Sequence, residues 1–279
     1  MTARLVPIAG KGDPRLEQYM GLRDRDLARG DGLFVAEGEV VVRVLASPRQ
    51  TRFRVRSLLV EQRRVEAIAD VIASLDDGVD AYVVPQDVMD AVVGFAIHRG
   101  ILALGERGAP LDPGALLGAG GVASLAVGLV GLTNHDNVGS VFRNAAAFGA
   151  RGVLLDAATC DPLYRKSIRV SVGGALVVPF ARCKSAEAML DIIAEAGWET
   201  LALSARGEER LDVVVSGPPG VEATARGRVL LLGTEGEGLP DAILARARRV
   251  RIDMTPTLDS LNVAVASGIA LYEATRPRR

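Results

Sequence analysis

Apolar residues along the chain fall in short bursts, and two spacings alternate. Runs such as LAVGLV at 125–130 and VLLL at 229–232 are apolar at every position, the pattern of a strand buried on both faces of a parallel sheet. Between such runs, apolar residues recur three and four apart, the spacing of a helix with one buried stripe. In the second half of the chain this predicts strands at 124–130, 152–156, 176–180, 199–204, 228–233 and 249–253. Helices are predicted at 138–149, 163–172, 186–197, 239–246 and 259–275, and Gly149, Gly174 and Gly197 stand where helices should end. Alternation of this kind makes an α/β fold whose parallel sheet is flanked by helices.

The first half repeats the alternation in shorter elements. Residues 16–30 carry helical spacing and end on Gly30. A short strand at 34–36, a turn at Glu37-Gly38 and a helix over 40–46 follow. Strands are expected at 56–60, 81–84 and 101–104, with helices at 64–74 and 87–93. That is a small α/β domain in its own right. GERGAPLDPGALLGAGG, 105–121, is rich in Gly and Pro with little periodicity and reads as a linker. The expected division is therefore an N-terminal domain over 1–107, a linker over 108–121 and a C-terminal domain over 122–279. There is no internal repeat.

Composition narrows the chemistry. The two cysteines, Cys160 and Cys183, cannot build a disulfide framework or a metal cluster and read as reduced thiols. With only His98 and His135, a His-rich metal site is excluded and no metal is expected. No apolar run approaches the roughly 20 residues that cross a bilayer, and the N-terminus lacks a signal-peptide core. The expected setting is the cytoplasm, without a membrane partner. Net charge is −1, but its distribution is uneven: Arg43, Arg49, Arg52, Arg54, Arg56, Arg63 and Arg64 meet only Glu61 between positions 43 and 64. Arginine binds phosphate through two parallel bonds, so this stripe either points to RNA or is a solvated basic face.

Three stretches could carry chemistry. In TNHDNVGSVFRNAAAFG, 133–149, a polar turn leads into a helix. Asn134 and Asn137 can each donate and accept hydrogen bonds. Arg143 is costly to aim at an aliphatic core, so it faces solvent, a carboxylate or an anion. The plain alternative is that Asn137 caps the helix and Arg143 pairs with a surface acid. The second stretch, GTEGEGL at 233–239, has the outline of a nucleotide loop, yet it lacks the Lys-Ser/Thr of a P-loop. Glu235 and Glu237 would repel a phosphate and suit a ligand with positive charge or hydroxyl donors. The third, IDMTPTLDSLNVAVASGIA at 252–270, starts a helix near Ser260 and Asn262 and continues with small residues that permit close packing. His135 could act as an acid or base, although a single loop histidine is commonly incidental. A nucleophile elbow and a Walker sequence are both absent.

Together these stretches resemble the SpoU-type (TrmH-like) branch of the SPOUT RNA methyltransferases. Asn134, Asn137-Val138-Gly139 and Arg143 match its first motif, and Gly233 through Leu239 match the second in full. Ile252, Met254 and Ser260 to Val263 match the third. Arg169, Ser171 and Gly173 match a further Arg-x-Ser-x-Gly element. Asp253 stands where the family carries Pro, and Pro256 where Gly is common. The N-terminal region resembles the ribosomal-protein-like substrate domain of these enzymes around FVAEGEVVVRVL and GILAL.

The resemblance implies methyl transfer from S-adenosyl-L-methionine to a ribose 2′-hydroxyl of ribosomal or transfer RNA, ribosomal RNA being favoured. It implies a trefoil-knotted C-terminal domain and a homodimer formed through it. Knots are very rare, and periodicity and spacing do not reveal one. Carried over by motif, the catalytic set is Arg143, Asn137, Glu235, Ser260 and Asn262. The cofactor set is Leu232, Gly233, Thr234, Gly238, Ile252, Met254 and Leu261. Asn134, Arg169 and Ser171 fall on the RNA side, joined by Arg52, Arg54 and Arg56 from the basic stripe. A guanidinium keeps its proton in nearly every protein setting, so Arg143 is expected to clamp a phosphate rather than serve as a bare base. Two other readings stay open: an RNA-binding protein of the same fold without catalysis, and an unrelated nucleotide-binding enzyme built on the 233–238 loop.

Overall fold

The computed structural model describes residues 2–20, 32–93, 100–118, 124–217, 227–255, 257 and 260–276. They group into two compact units, Met1–Ala109 with Leu163–Val177, and Pro110–Pro162 with Val178–Arg279.

The first unit holds a mixed five-stranded sheet: β1 (Arg4–Pro7), β2 (Leu33–Glu37), β3 (Arg54–Glu61), β4 (Asp80–Val84) and β5 (Ile101–Glu106), in the order β1-β4-β3-β5-β2. β1, β4 and β3 run parallel, and β5 is antiparallel to both β3 and β2. Leu16, Tyr19, Val35, Leu59, Met89, Leu102 and Leu104 make a buried core. The Tyr19 hydroxyl, which would be costly to bury alone, lies 2.6 Å from Ser57 Oγ. β1 has no sequence signal: its four residues, RLVP, are an edge strand and Leu5 is half exposed. Of the helix expected over 16–30, the described part is a 3₁₀ segment, Pro14–Tyr19, capped by Asp13; residues 21–31 lie outside the described set.

Residues 163–177 belong to this unit although they fall late in the chain. They form two short helices, Arg165–Val170 and Gly174–Val177. The apolar pattern predicts a strand over 176–180; instead the chain stays helical to Val177, and strand begins only at Phe180. Gly173, with φ +83, makes the turn that starts the second helix, and Pro179 has no N–H to donate to a ladder. Thus Val172, at φ +53, and Gly173, not Gly174, occupy the left-handed region where the first of these helices ends.

The second unit is built on seven parallel strands: β6 (Ser124–Leu129), β7 (Val153–Leu155), β8 (Phe180–Arg182), β9 (Glu199–Leu203), β10 (Glu209–Arg210), β11 (Gly227–Leu232) and β12 (Arg248–Arg251). Their order is β10-β12-β9-β11-β6-β7-β8. Ala126, Val130, Leu154, Met189, Trp198, Val229 and Ile243 are among its buried core. The Gly- and Pro-rich stretch that reads as a linker contributes structure: Gly105 and Glu106 end β5, and Pro113–Leu117 is helical with Leu116 and Leu117 buried. Asp112 Oδ1 accepts from Ala115 N–H at 2.7 Å with Pro113 in the first turn, a capping signal that outweighs the Gly content. β10 and the helix Leu211–Ser216 are also additional; LDVVVS is β-branched and disguises a helix.

Candidate functional site

β6 and β11 are neighbours in register, Leu129 opposite Leu232, so the loops leaving their carboxyl ends emerge side by side. That is where open α/β sheets place ligands. Val130 N–H continues the ladder to Leu232 O at 3.0 Å. Gly131 then turns with φ +70, and a Cβ there would stand 2.9 Å from Thr234 Cγ2. The two loops touch at this glycine.

The helix His135–Ala147 follows, and its cap is Asn134, whose Oδ1 accepts from Asp136 N–H at 2.9 Å. The helix therefore begins three residues before the expected 138. Asn137 is not the cap; it sits in the first turn, buried, with its side chain available for other partners. Arg143 is exposed on the same helix and makes no side-chain hydrogen bond or ion pair with the described residues. The next residue, Asn144, is one that motif reasoning misses. Its Nδ2 donates to Ala264 O at 2.8 Å and to Ser267 Oγ at 2.9 Å, which ties this helix to Val263–Thr275. The one sequence signal for it is a polar residue beside Arg143 in an otherwise Ala-rich helix end.

The turn after β11 closes on itself. Thr234 and Gly238 exchange backbone hydrogen bonds at 3.2 Å, and Thr234 Oγ1 adds a third to Gly238 O at 3.2 Å. Gly233 permits this: a Cβ would lie 2.4 Å from Gly238 C and 2.5 Å from Leu239 N. Glu235, Gly236 and Glu237 stand exposed at the tip, and Leu232 is buried beneath.

Asn262 joins the pieces. Its Oδ1 caps Val263–Thr275 by accepting from Ala264 N–H at 2.9 Å and Val265 N–H at 3.3 Å. Its Nδ2 donates to Asn137 Oδ1 at 3.1 Å and reaches Glu235 Oε1 at 3.4 Å. Asn137, Glu235 and Asn262 are thus brought together. Ser260 is exposed just outside the helix, and Met254 and Leu261 are each 37 % exposed. Ile252 is half-buried after β12. Asp253, in place of the proline implied by resemblance, is held between Arg251 Nε at 2.9 Å and Arg210 Nε at 3.3 Å. Pro256 lies outside the described residues.

Of the expected RNA-side residues, Asn134 belongs to the second unit and Arg52, Arg54, Arg56, Arg169 and Ser171 to the first. Arg169 is half exposed and 3.9 Å from the buried Glu37 carboxylate. Ser171 is 2 % exposed; its Oγ donates to Ile168 O at 2.9 Å and accepts from Ala175 N–H at 3.2 Å, joining the two short helices. Arg52 is half-buried with its guanidinium 5.2 Å from the Phe53 ring centre, and burial lowers its pKa. Arg54 and Arg56 are exposed on β3, Arg56 3.6 Å from Glu106.

Burial pushes the thiols of Cys160 and Cys183 up to about 11, so neither is a thiolate nucleophile at neutral pH. Among the described residues, no group of three His, Cys, Asp or Glu side chains could hold a metal, and no helix is long and apolar enough to cross a membrane.

Residues 124–272 match the SpoU rRNA Methylase family. An uncharacterized tRNA/rRNA methyltransferase of Mycobacterium bovis is 39 % identical over 95 % of this chain and 89 % of its own length. An AdoMet-bound rRNA methyltransferase from Sinorhizobium meliloti superposes with a TM-score of 0.79 at 23 % identity, covering 97 % of each chain. A structure described as an RNA 2′-O ribose methyltransferase gives a TM-score of 0.75 at 25 % identity, covering 96 % of this chain and 98 % of that one.

Proposed function

The chain belongs to the SpoU rRNA methylase family, and from that premise we propose that it is an S-adenosyl-L-methionine-dependent enzyme methylating a ribose 2′-hydroxyl of RNA in the cytoplasm. Ribosomal RNA is the favoured substrate over transfer RNA. The observation that carries the reading is Asn262 bonded to both Asn137 and Glu235, because it joins the three motifs in one place.

The donor set suits S-adenosyl-L-methionine. Glu235 and Glu237 offer negative charge to a cationic ligand with ribose hydroxyls, and the closed turn exposes backbone at Gly236. Met254 and Leu261 leave apolar surface uncovered for a purine. When bound, the cofactor supplies a methyl group on a positively charged sulfur, which transfers without a metal. Leu232, Gly233, Thr234, Gly238, Ile252, Met254 and Leu261 would hold it.

The protein's own work is placement and proton handling. Holding the reacting oxygen in line contributes several kcal/mol as an orientation effect. Arg143, exposed and without a protein partner among the described residues, binds an RNA phosphate, and its charge favours ionisation of the adjacent hydroxyl. Glu235 takes the hydroxyl proton while Asn262 holds its carboxylate and Asn137 fixes Asn262. Ser260 closes the substrate side. Asn134 and Arg169 contribute to RNA placement, with Arg52, Arg54 and Arg56 as backbone contacts that position without reading sequence.

The same reading includes a homodimer and the knotted C-terminal passage implied by family resemblance. Supporting the dimer, Val265, Ile269 and Tyr272 are 51 %, 37 % and 54 % exposed on one side of the helix Val263–Thr275. Their spacing makes a continuous apolar stripe.

The test is transfer of tritiated methyl from S-adenosyl-L-methionine into bulk RNA, followed by mapping of ribose methylation with and without the gene. Incorporation into base rather than ribose, or none from protein that binds the cofactor, would overturn it.

A further inference from the structure

Among the buried carboxylates that the mechanism leaves unused, Glu37, Glu61 and Asp156, only Asp156 belongs to the unit that carries the Asn262 cluster. Asp156, 6 % exposed, follows β7 and turns toward the loop that leaves β6. Its two oxygens face donors only. Gly131 N–H lies 3.1 Å from both Oδ1 and Oδ2. Thr159 N–H donates to Oδ1 at 2.8 Å, and Thr159 Oγ1 lies 2.6 Å from the same oxygen. Leu132 N–H in turn donates to Thr159 Oγ1 at 3.3 Å. Backbone bonds from Asp156 N–H to Leu129 O at 3.1 Å and from Cys160 N–H to Leu132 O at 2.8 Å flank the pair. Arg182 Nη1 secures the outer turn through Asp156 O at 2.9 Å and Thr159 O at 2.8 Å.

The bonds at Gly131 and Leu132, with Thr159 Oγ1 also 3.1 Å from Leu129 O, converge on residues 129–132, which need outside support. Gly131 is in the left-handed region at φ +70, breaking the β6 ladder, and a backbone N–H buried there without an acceptor is costly. The loop has two neighbours that matter. Thr234 Cγ2 lies 2.9 Å from where a Gly131 Cβ would be, and Asn134 caps the helix carrying Asn137 and Arg143.

We propose that Asp156, seconded by Thr159, is a positioning residue for methyl transfer: its carboxylate sets the Gly131–Asn134 loop against the Thr234 turn. The proposal rests on the methyltransferase reading above. An aspartate is required rather than an amide. In Asp156→Asn the two Thr159 bonds at Oδ1 can persist, but the amide nitrogen takes the place of Oδ2 beside Gly131 N–H, donor against donor. The change therefore acts on the loop more than on the turn that holds Thr159.

The experiment compares wild-type protein with Asp156→Asn, Thr159→Val and Thr159→Ser. Calorimetry gives the Kd for S-adenosyl-L-methionine, steady-state methylation separates KM from kcat, and each variant is measured well below its own Tm. The expected result for Asp156→Asn is a rise of about tenfold in cofactor Kd and KM. Thr159→Val should follow it, and Thr159→Ser, which restores the hydroxyl, should recover the affinity lost in Thr159→Val. A merely structural role would lower Tm and leave Kd and KM at wild-type values. If Asp156→Asn does not fold, the Thr159 pair decides the matter. Wild-type binding of the cofactor with both Asp156→Asn and Thr159→Val within twofold would overturn this proposal alone. Wild-type protein without cofactor affinity would overturn the methyltransferase reading and this proposal with it.

Discussion

Asn262 Nδ2 lies 3.1 Å from Asn137 Oδ1, although the two residues are 125 positions apart in the chain. An amide nitrogen carries two hydrogens, so the same atom also serves Glu235 Oε1 at 3.4 Å. The amide oxygen does something else, capping the helix Val263–Thr275. One side chain thus starts a helix with one atom and joins two loops with the other.

That division can be separated by substitution. Asn262→Asp keeps the capping oxygen but turns a second oxygen toward Glu235 and Asn137 Oδ1, where a donor is needed. The expected outcome is a Tm near that of wild-type protein and a methylation rate lower by about 100-fold. Asn262→Ala should lose the cap as well, at a cost of about 1 kcal/mol in stability. Thermal unfolding measured beside tritiated methyl transfer distinguishes the two effects.

Gly233→Ala tests the closed turn. The added methyl would meet the Gly238 backbone at 2.4 to 2.5 Å, and backbone atoms cannot yield as a flexible side chain does. The Thr234–Gly238 bonds should open while the sheet below persists. Calorimetry should show cofactor affinity falling by about tenfold or more, with far-UV circular dichroism unchanged; an unchanged affinity would remove the 233–238 turn from the cofactor site.

Much of the parallel sheet is legible in the amino-acid sequence. Strands such as VLLL at 229–232 lie apolar on both faces because the sheet is parallel and covered, so their burial is written directly into the residue pattern. The position of Asn137 is not. Asn134 and Asn137 are both acceptable caps, and only the fold decides that Asn134 caps while Asn137 meets Asn262. The strand expected at 176–180 fails because a run of apolar residues is ambiguous between helix and strand, and Gly173 and Pro179 shift the boundary. Asp253 is legible only as a departure from Pro; that Arg251 and Arg210 hold it depends on β10 and β12 pairing, which no local pattern announces. The two arginines supply by charge part of the restraint that a proline ring supplies covalently.

Arg143 separates clamp from base. If the guanidinium binds a phosphate and favours hydroxyl ionisation, Arg143→Lys keeps the charge and loses the bidentate fork. We expect Arg143→Ala to reduce kcat by about 100-fold or more and to weaken RNA binding, and Arg143→Lys to retain most affinity with an intermediate rate. Filter binding and single-turnover methylation, run on the same preparations, read the two effects. Wild-type turnover in both variants would remove Arg143 from the catalytic set.

The apolar stripe makes a prediction about assembly. Ile269 lies between Val265 and Tyr272 on the helix Val263–Thr275 and is 37 % exposed, so Ile269→Glu adds charge where a second copy would pack. A buried unpaired carboxylate is strongly unfavourable, and the expected outcome is a shift from dimer to monomer in sedimentation with secondary structure intact. The neighbouring Asn144 bonds to Ala264 and Ser267 lie within the same chain and should not be disturbed. A dimer of unchanged stability would place the interface elsewhere.

Arg54 and Arg56 alternate on β3 with Val55 between them and are both exposed. Arg56 is 3.6 Å from Glu106, a surface pair of little net worth that a phosphate can replace. Each phosphate contact contributes about 0.7 to 0.9 to the slope of log affinity against log salt. Reversing both charges in an Arg54→Glu, Arg56→Glu variant should therefore weaken RNA binding and flatten that slope by roughly 1.5. Cofactor affinity should stay at its wild-type value, because neither residue belongs to the Asn262 cluster. Titrations of RNA at several salt concentrations check this directly. A slope equal to that of wild-type protein would move the RNA contact off β3, leaving the half-buried Arg52 as a packing residue against Phe53.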